Sequence, residues 1–343
     1  MFSEIEELAN ISKFIGEDSK LIQASGGNTS MKIDNKLWIK ASGKRLKNAY
    51  KEKIFTCVDL DSAKDLDSLR LDADALKYLG GGEEIFLKAS IETSMHAIIN
   101  KKVVIHTHPV DIISQTLSKD GQQNIKKKLA FYNYCSIKYV KPGIDLALEI
   151  KNIQELNPFD ILILHNHGLV IAQNDFDSAV NLQNKIINLL KVKERSYKRS
   201  NKKLLQTFSS LFESSILPSD EVIHSLATDR INYQLVKNNP AYPDHVVFCG
   251  FKPITIDKDK IDELIINKDF REKLNGKNYL IIEEVGVIIL SYSEALYEML
   301  KCQAEVFLRI HNSSELSLLK YEDCQELMDW DAEKYRISLE NKI

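Results

Sequence analysis

At 343 residues the chain has length for about two domains of roughly 100 to 200 residues each. Its 44% hydrophobic and 28% charged residues are those of an ordinary globular protein, and a net charge of −3 with pI about 6.3 offers no basic field for nucleic acid. No apolar run approaches the roughly 18 to 20 residues that span a bilayer, the N-terminus is acidic where a signal peptide is basic, and the five cysteines form no Cys-x-x-Cys pair. A cytoplasmic protein with reduced thiols is expected, with neither nucleic acid nor membrane as a partner.

The chain opens with an expected amphipathic helix: Ser3 and Glu6 have capping-box spacing, and Ile5, Leu8, Ile11 and Ile15 recur at helical intervals. Ala24 to Met31 then forms a small-residue turn. Gly26 and Gly27 permit close backbone approach, so N–H groups and the Asn28 amide can face an anion, although a plain hairpin turn has the same composition. Lys36 to Lys40 reads as a strand leading into Ala41-Ser42-Gly43-Lys44-Arg45, a second such turn with cations beside it. That suits a phosphate, or merely a solvated loop. Gly80-Gly81-Gly82 reads as a flexible loop. Ser90 is the expected N-cap of the next helix and a third anion-facing element, two residues before Glu92. Glu92 and His96 are four apart and share a helix face, where His96 is expected to pack.

The most informative stretch follows. Val103 to Ile105 is β-branched throughout and Pro109 cannot continue a ladder, so a short buried strand carries His106 and His108, whose alternation points both to one face. Two imidazoles are half of a transition-metal site, and a site that does chemistry commonly has three protein ligands. A second apolar strand, Ile161 to Leu164, ends in His165-Asn166-His167-Gly168. Four of the eight histidines thus cluster at two strand ends, which favours a metal site over solvated polar ends.

Tyr132 to Val140 is strand-like, helices are expected from about Asp145 to Ile150 and over Asp175 to Lys193, and Lys191 to Lys203 reads as a solvated helix end and linker. Pro240 to His245 is expected to form an ordered loop, with His245 structural or interfacial. Asn278 to Ile289 aligns with Asp160 to Ile171 at a constant offset of 118 residues, with Val285 where His167 stands and Glu283 where His165 stands. Residues 206–343 are therefore expected to form a smaller C-terminal α/β domain, a possible degenerate partial repeat that lacks the metal histidines, after a first domain over 1–205.

In this order Gly27-Asn28-Thr29-Ser30, Ala41-Ser42-Gly43, Ser90-Ile91-Glu92, His106-Thr107-His108 and His167-Gly168 resemble the class II aldolase/adducin family, over about residues 5 to 195. Pro243-Asp244-His245 and Trp330 to Tyr335 are similar, more loosely, to the aldolase half of bacterial fusions of rhamnulose-1-phosphate aldolase with lactaldehyde dehydrogenase. The resemblance implies a three-layer α/β/α fold with a mainly antiparallel central sheet, assembled as a homo-oligomer with the site near a subunit interface. It implies His106, His108 and His167 as ligands of a divalent metal (zinc, or else manganese or cobalt). The phosphate would lie against Gly27, Asn28, Ser42, Gly43 and Ser90, and Glu92 would be the catalytic acid/base. One departure is Ile91, where fuculose-type aldolases carry a second serine. The tyrosine or carboxylate that protonates the leaving aldehyde has no assigned position; Tyr132, Tyr134 and Tyr139 are candidates.

The function so implied is a metal-dependent carbon–carbon lyase that cleaves a ketose phosphate, reversibly and through a metal-bound enediolate, to an aldehyde and a smaller sugar phosphate. One alternative is a sugar-phosphate 4-epimerase on the same scaffold. A non-catalytic adducin-like binding module is disfavoured because the three histidines are present. A cupin would place its Glu after the His pair, and an amidohydrolase would need further His and Asp ligands.

Overall fold

The computed structural model describes residues 2–79, 87–272, 274 and 277–340. The expected Gly80 to Gly82 loop lies outside them. Among the described residues a seven-stranded sheet runs in the order β3-β2-β1-β4-β7-β6-β5. Its strands are β1 (Asn28–Ile33), β2 (Lys36–Lys40), β3 (Phe55–Asp59), β4 (Val103–Thr107), β5 (Tyr134–Ile137), β6 (Ile161–Leu164) and β7 (Gly168–Gln173). Every neighbouring pair is antiparallel except β5 and β6, which are parallel.

Both faces of this sheet are covered, and the period of two sorts the side chains between them. Ile105, Ile161, Ile163, Leu169 and Ile171 join one core with the helices Phe2–Gly16 and Phe176–Leu189, through Leu8, Ile15, Phe176 and Ile186. Val104, Leu162, Leu164, Val170 and Ala172 join the other with the helices Thr93–Ile98 and Ile144–Leu156, through Met95, Leu146 and Ile150. That is the three-layer α/β/α arrangement with a mostly antiparallel centre.

A second, three-stranded sheet holds β8 (Ile254–Ile256), β9 (Tyr279–Ile282) and β10 (Gly286–Ile289) in the order β10-β9-β8. Like β5, β6 and β7, its strands pair first parallel and then antiparallel. The two hairpins match residue for residue at the spacing of the sequence alignment. Leu164 faces Gly168 as Ile282 faces Gly286, and the turn residues Asn166 and Glu284 are both left-handed, at φ 55° and 58°. The helices that follow are capped by Asp175 and Ser293.

Several local expectations are corrected. The first helix begins at Phe2, ahead of the expected Ser3 cap. The helix after Glu92 is only six residues long and has Glu92, not Ser90, at its N-cap; the Ser90 carbonyl instead accepts from the Thr93 backbone (3.0 Å), so Ser90 closes a turn. Pro243 is the first residue of a helix, Pro243–Cys249, a position proline favours. Residues 191–201 have no regular structure, yet they are not a free linker: Arg195 donates to the Phe307 carbonyl (2.8 Å), to Asp229 (2.6 Å) and to Asn232 (2.8 Å). The expected boundary at 205/206 falls inside the helix Lys202–Ser209. One core joins both halves, since Val110, Ile113 and Leu117 pack with Leu226, Leu296 and Met299. No described helix is long and apolar enough to cross a membrane.

Candidate metal centre

The site grows from the β1–β4–β7 register. Asn28 is paired with His106 across one edge of β4 and Val170 with His106 across the other. His108 lies just beyond the end of β4, and His167 sits in the turn between β6 and β7. That turn can close tightly because Asn166 takes the left-handed conformation that asparagine tolerates. Gly168 is required beside it, since a Cβ there would lie 2.2 Å from the Thr107 carbonyl oxygen.

Three ring nitrogens meet as a result. His106 Nε2 lies 3.1 Å from His108 Nε2 and 3.3 Å from His167 Nε2, with all three side chains buried. His106 Nδ1–H donates to the Leu169 carbonyl at 3.0 Å, so the Nε2 of the neutral ring carries a bare lone pair. Burial pushes His106 down in pKa against the upward pull of Glu92; burial, then His106 and His108, push His167 well below its ordinary value. Neutral imidazoles with lone pairs turned toward one another repel unless a cation sits between them. The two separations from His106 Nε2 are close to the ligand–ligand edge of about 3.3 Å of a tetrahedral metal with bonds of ~2.05 Å. The donor set therefore fits a divalent transition metal.

Glu92 completes this geometry. Its Oε1 lies 3.4 Å from both His106 Nε2 and His167 Nε2, while its Oε2 accepts from Asn28 Nδ2 at 2.6 Å. Gly27, Asn28, Ser42, Gly43 and Ser90 line the same cavity as Glu92, His108 and His167. Its volume of about 20 Å³ is room for roughly one water molecule. His165 turns away, with Nε2 2.8 Å from Ser136 Oγ, and His96 packs as expected, fully buried with Nδ1 2.7 Å from Ser30 Oγ. Tyr132, Tyr134 and Tyr139 do not line the cavity; Tyr139 packs beside Leu327 and Trp330.

Four charged residues of the cavity wall lie outside the expected set: Lys40, Asp244, Glu333 and Arg336. Lys40 is buried at the end of β2, donates at 2.8 Å to the carbonyls of Ser25 and Lys44, and is pushed down to about 7 by burial and then by Arg336. A lysine closing an otherwise buried strand is the signal for it. The other three come from the second half, 77 or more residues past His167, and only the motif around Asp244 and that around Glu333 pointed there.

Comparison with known proteins finds a family for the first half of the chain. Residues 6–193 match the family model "Class II Aldolase and Adducin N-terminal domain". A relative in Bacillus subtilis (strain 168), named uncharacterized oxidoreductase YuxG, is 33% identical over 181 residues, which is 48% of this chain and 26% of the relative. The chain thus spans about a quarter of that protein's length. An L-fuculose phosphate aldolase of Methanocaldococcus jannaschii is 26% identical over 174 residues, 47% of this chain and 80% of the relative. The solved N-terminal class II aldolase domain of a conserved Thermoplasma acidophilum protein is 28% identical, with a TM-score of 0.46, over 54% of this chain and 91% of that one. With residues 6–193 matched, more than half of its length, the chain belongs to the class II aldolase/adducin family.

Proposed function

We propose that the protein is a metal-dependent aldolase that reversibly cleaves a sugar phosphate, with His106, His108 and His167 as metal ligands and Glu92 as acid/base. The observation that carries this reading is the convergence of three buried Nε2 atoms with Glu92 Oε1 3.4 Å from two of them. The metal, zinc in this reading with manganese or cobalt as alternatives, would supply a Lewis acid that stabilises the negative charge left when the carbon–carbon bond breaks. Glu92 Oε1 faces the histidines while Asn28 holds Oε2, so one oxygen is committed to position and the other serves as the proton carrier. In cleavage it delivers a proton to the donor carbon, which keeps the electron pair of the broken bond. In condensation it removes that proton.

Gly27, Asn28, Ser42, Gly43 and Ser90 form the seat of the phosphate in this reading. Because the Ser42 N–H is given to the Lys88 carbonyl (2.8 Å), contact there falls to the Ser42 hydroxyl. The M. jannaschii relative, named for a sugar phosphate, supports this substrate class. The oxidoreductase name of the B. subtilis relative is not carried over, since the match covers 26% of that protein. A cytoplasmic homo-oligomer belongs to the same reading, and light scattering tests its assembly. The matched hairpins support the second half as a degenerate partial repeat of the first.

The test combines metal analysis of the purified protein with solvent deuterium exchange into the hydroxymethyl carbon of dihydroxyacetone phosphate, followed by NMR. Stoichiometric metal and stereospecific exchange that disappears in Glu92→Gln, with metal retained, is the expected result. Exchange that survives in Glu92→Gln, or a protein that binds no divalent metal, refutes the assignment.

A further inference from the structure

The second half of the chain reaches the histidine cluster through one line of contacts. Asp244, in the first turn of the helix Pro243–Cys249, places Oδ2 3.2 Å from His108 Nδ1. Arg336, on the helix Asp331–Glu340, donates from Nη2 to the other oxygen of Asp244, and its Nε lies 2.7 Å from Glu333 Oε2. Asp244 and Glu333 are 3% and 2% exposed, so this is a buried charged chain ending on an imidazole. Gly26 makes room for it: a Cβ there would lie 2.8 Å from Asp244 Oδ2 and 2.9 Å from His108 Nδ1. The glycine expected to open the backbone toward an anion instead permits this contact.

A neutral imidazole carries one proton, on either nitrogen, and only the nitrogen without it can bind a metal. A carboxylate beside Nδ1 favours the proton there and leaves Nε2 bare, toward His106 and His167. Arg336 offsets the charge that would otherwise be costly for Asp244 to keep in a dry site. We propose that Asp244 is a positioning residue for His108 and Arg336 a positioning residue for Asp244, so that the second half of the chain sets how tightly the histidine cluster of the first half holds its metal. This rests on the metal reading above, and it concerns residues beyond the matched family segment 6–193.

The experiment is titration of the metal-free full-length protein with Co²⁺, read from its visible absorption and by competition with a chromophoric chelator. Asp244→Asn should weaken binding about 10- to 100-fold, the usual cost of losing a partner behind a metal-bound histidine. Arg336→Gln should weaken it several-fold, and the double variant no more than Asp244→Asn alone, because one residue acts through the other. Arg336→Lys should recover part of the loss. Histidine ring-nitrogen NMR of the unaltered metal-free protein adds a readout that needs no variant: His108 should carry its proton on Nδ1. Wild-type protein that takes up no Co²⁺ overturns both readings. Tight wild-type binding with unchanged affinity in Asp244→Asn, additive losses in the double variant, or a proton on His108 Nε2 each overturns this inference alone.

Discussion

Asn28 Nδ2 donates to Glu92 Oε2 at 2.6 Å, joining the first residue of β1 to the carboxylate that faces the histidine cluster. The bond spans 64 residues of sequence and fixes which Glu92 oxygen is free. Asn28→Ala should leave metal content near normal while turnover falls about 10- to 100-fold, because a carboxylate displaced by even about 1 Å loses most of its alignment. Metal analysis and steady-state kinetics of one preparation check it. Equal losses of metal and turnover would mean that Asn28 supports the fold rather than the acid/base.

Lys40 makes stability depend on pH. Its folded pKa is pushed down to about 7, whereas an unfolded lysine titrates near ~10.4. Below about pH 7 it is protonated in both states and the cost of burying the charge is fully present. Between about pH 7 and 10 the unfolded chain binds a proton that the folded chain lacks, so stability rises with pH, by up to ~1.4 kcal/mol per pH unit. Urea unfolding at pH 6, 8 and 9.5 should give a steeper rise for the wild type than for Lys40→Met. Parallel curves would refute a lowered Lys40.

Gly43 is covered by the C-terminal helix. Its φ is +70°, and a Cβ there would lie 2.5 Å from Leu339 Cδ1, while neighbouring Arg45 pairs with buried Glu340 at 2.8 Å. Gly43→Ala combines backbone strain with overpacking, at a cost of about 2 kcal/mol or more. It should lift the helix Asp331–Glu340, and limited proteolysis should then cut that helix sooner than in the wild type. With room for one water in the cavity, a sugar phosphate also requires this helix to shift, so a phosphate ligand should change its hydrogen exchange.

Glu284 occupies the left-handed turn position that Asn166 holds in the matching hairpin, at φ 58°. Glutamate has no local compensation there, and its pairing with Lys258 is exposed and worth little. Glu284→Asn should raise the melting temperature by about 1–2 °C, whereas Asn166→Glu should lower it more. The second change also removes the Asn166 Nδ2 bonds to the carbonyls of Ala241 (2.9 Å) and Ser317 (2.6 Å). Calorimetry of both variants checks this.

Much of the first half was legible from local chemistry. Short apolar runs rich in β-branched residues gave β4 and β6, and period-two alternation already implied that His106 and His108 share a face. The anion-facing cap at Ser90 was misplaced because its turn and the true cap at Glu92 differ by only two residues, a distinction made by backbone hydrogen bonds rather than by residue type. Residues 191–201 were misread for a similar reason: their Lys and Arg content suggests solvent, but Arg195 finds carbonyls that exist only once Phe307 and Ile310 have packed.

By itself the sequence determined the strand periods, the small-residue turns, the two histidine-bearing strand ends and the echo of one hairpin in the other, because each depends on residues within a few positions of one another. Tertiary structure alone decided which Glu92 oxygen faces the cluster, and that Asp244, Glu333 and Arg336 wall the cavity. The pairs His167–Glu92, Asp244–Arg336 and His108–Asp244 lie 75, 92 and 136 residues apart in the chain, and they depend on sheet register and helix docking. Neither leaves a periodic trace in the chain.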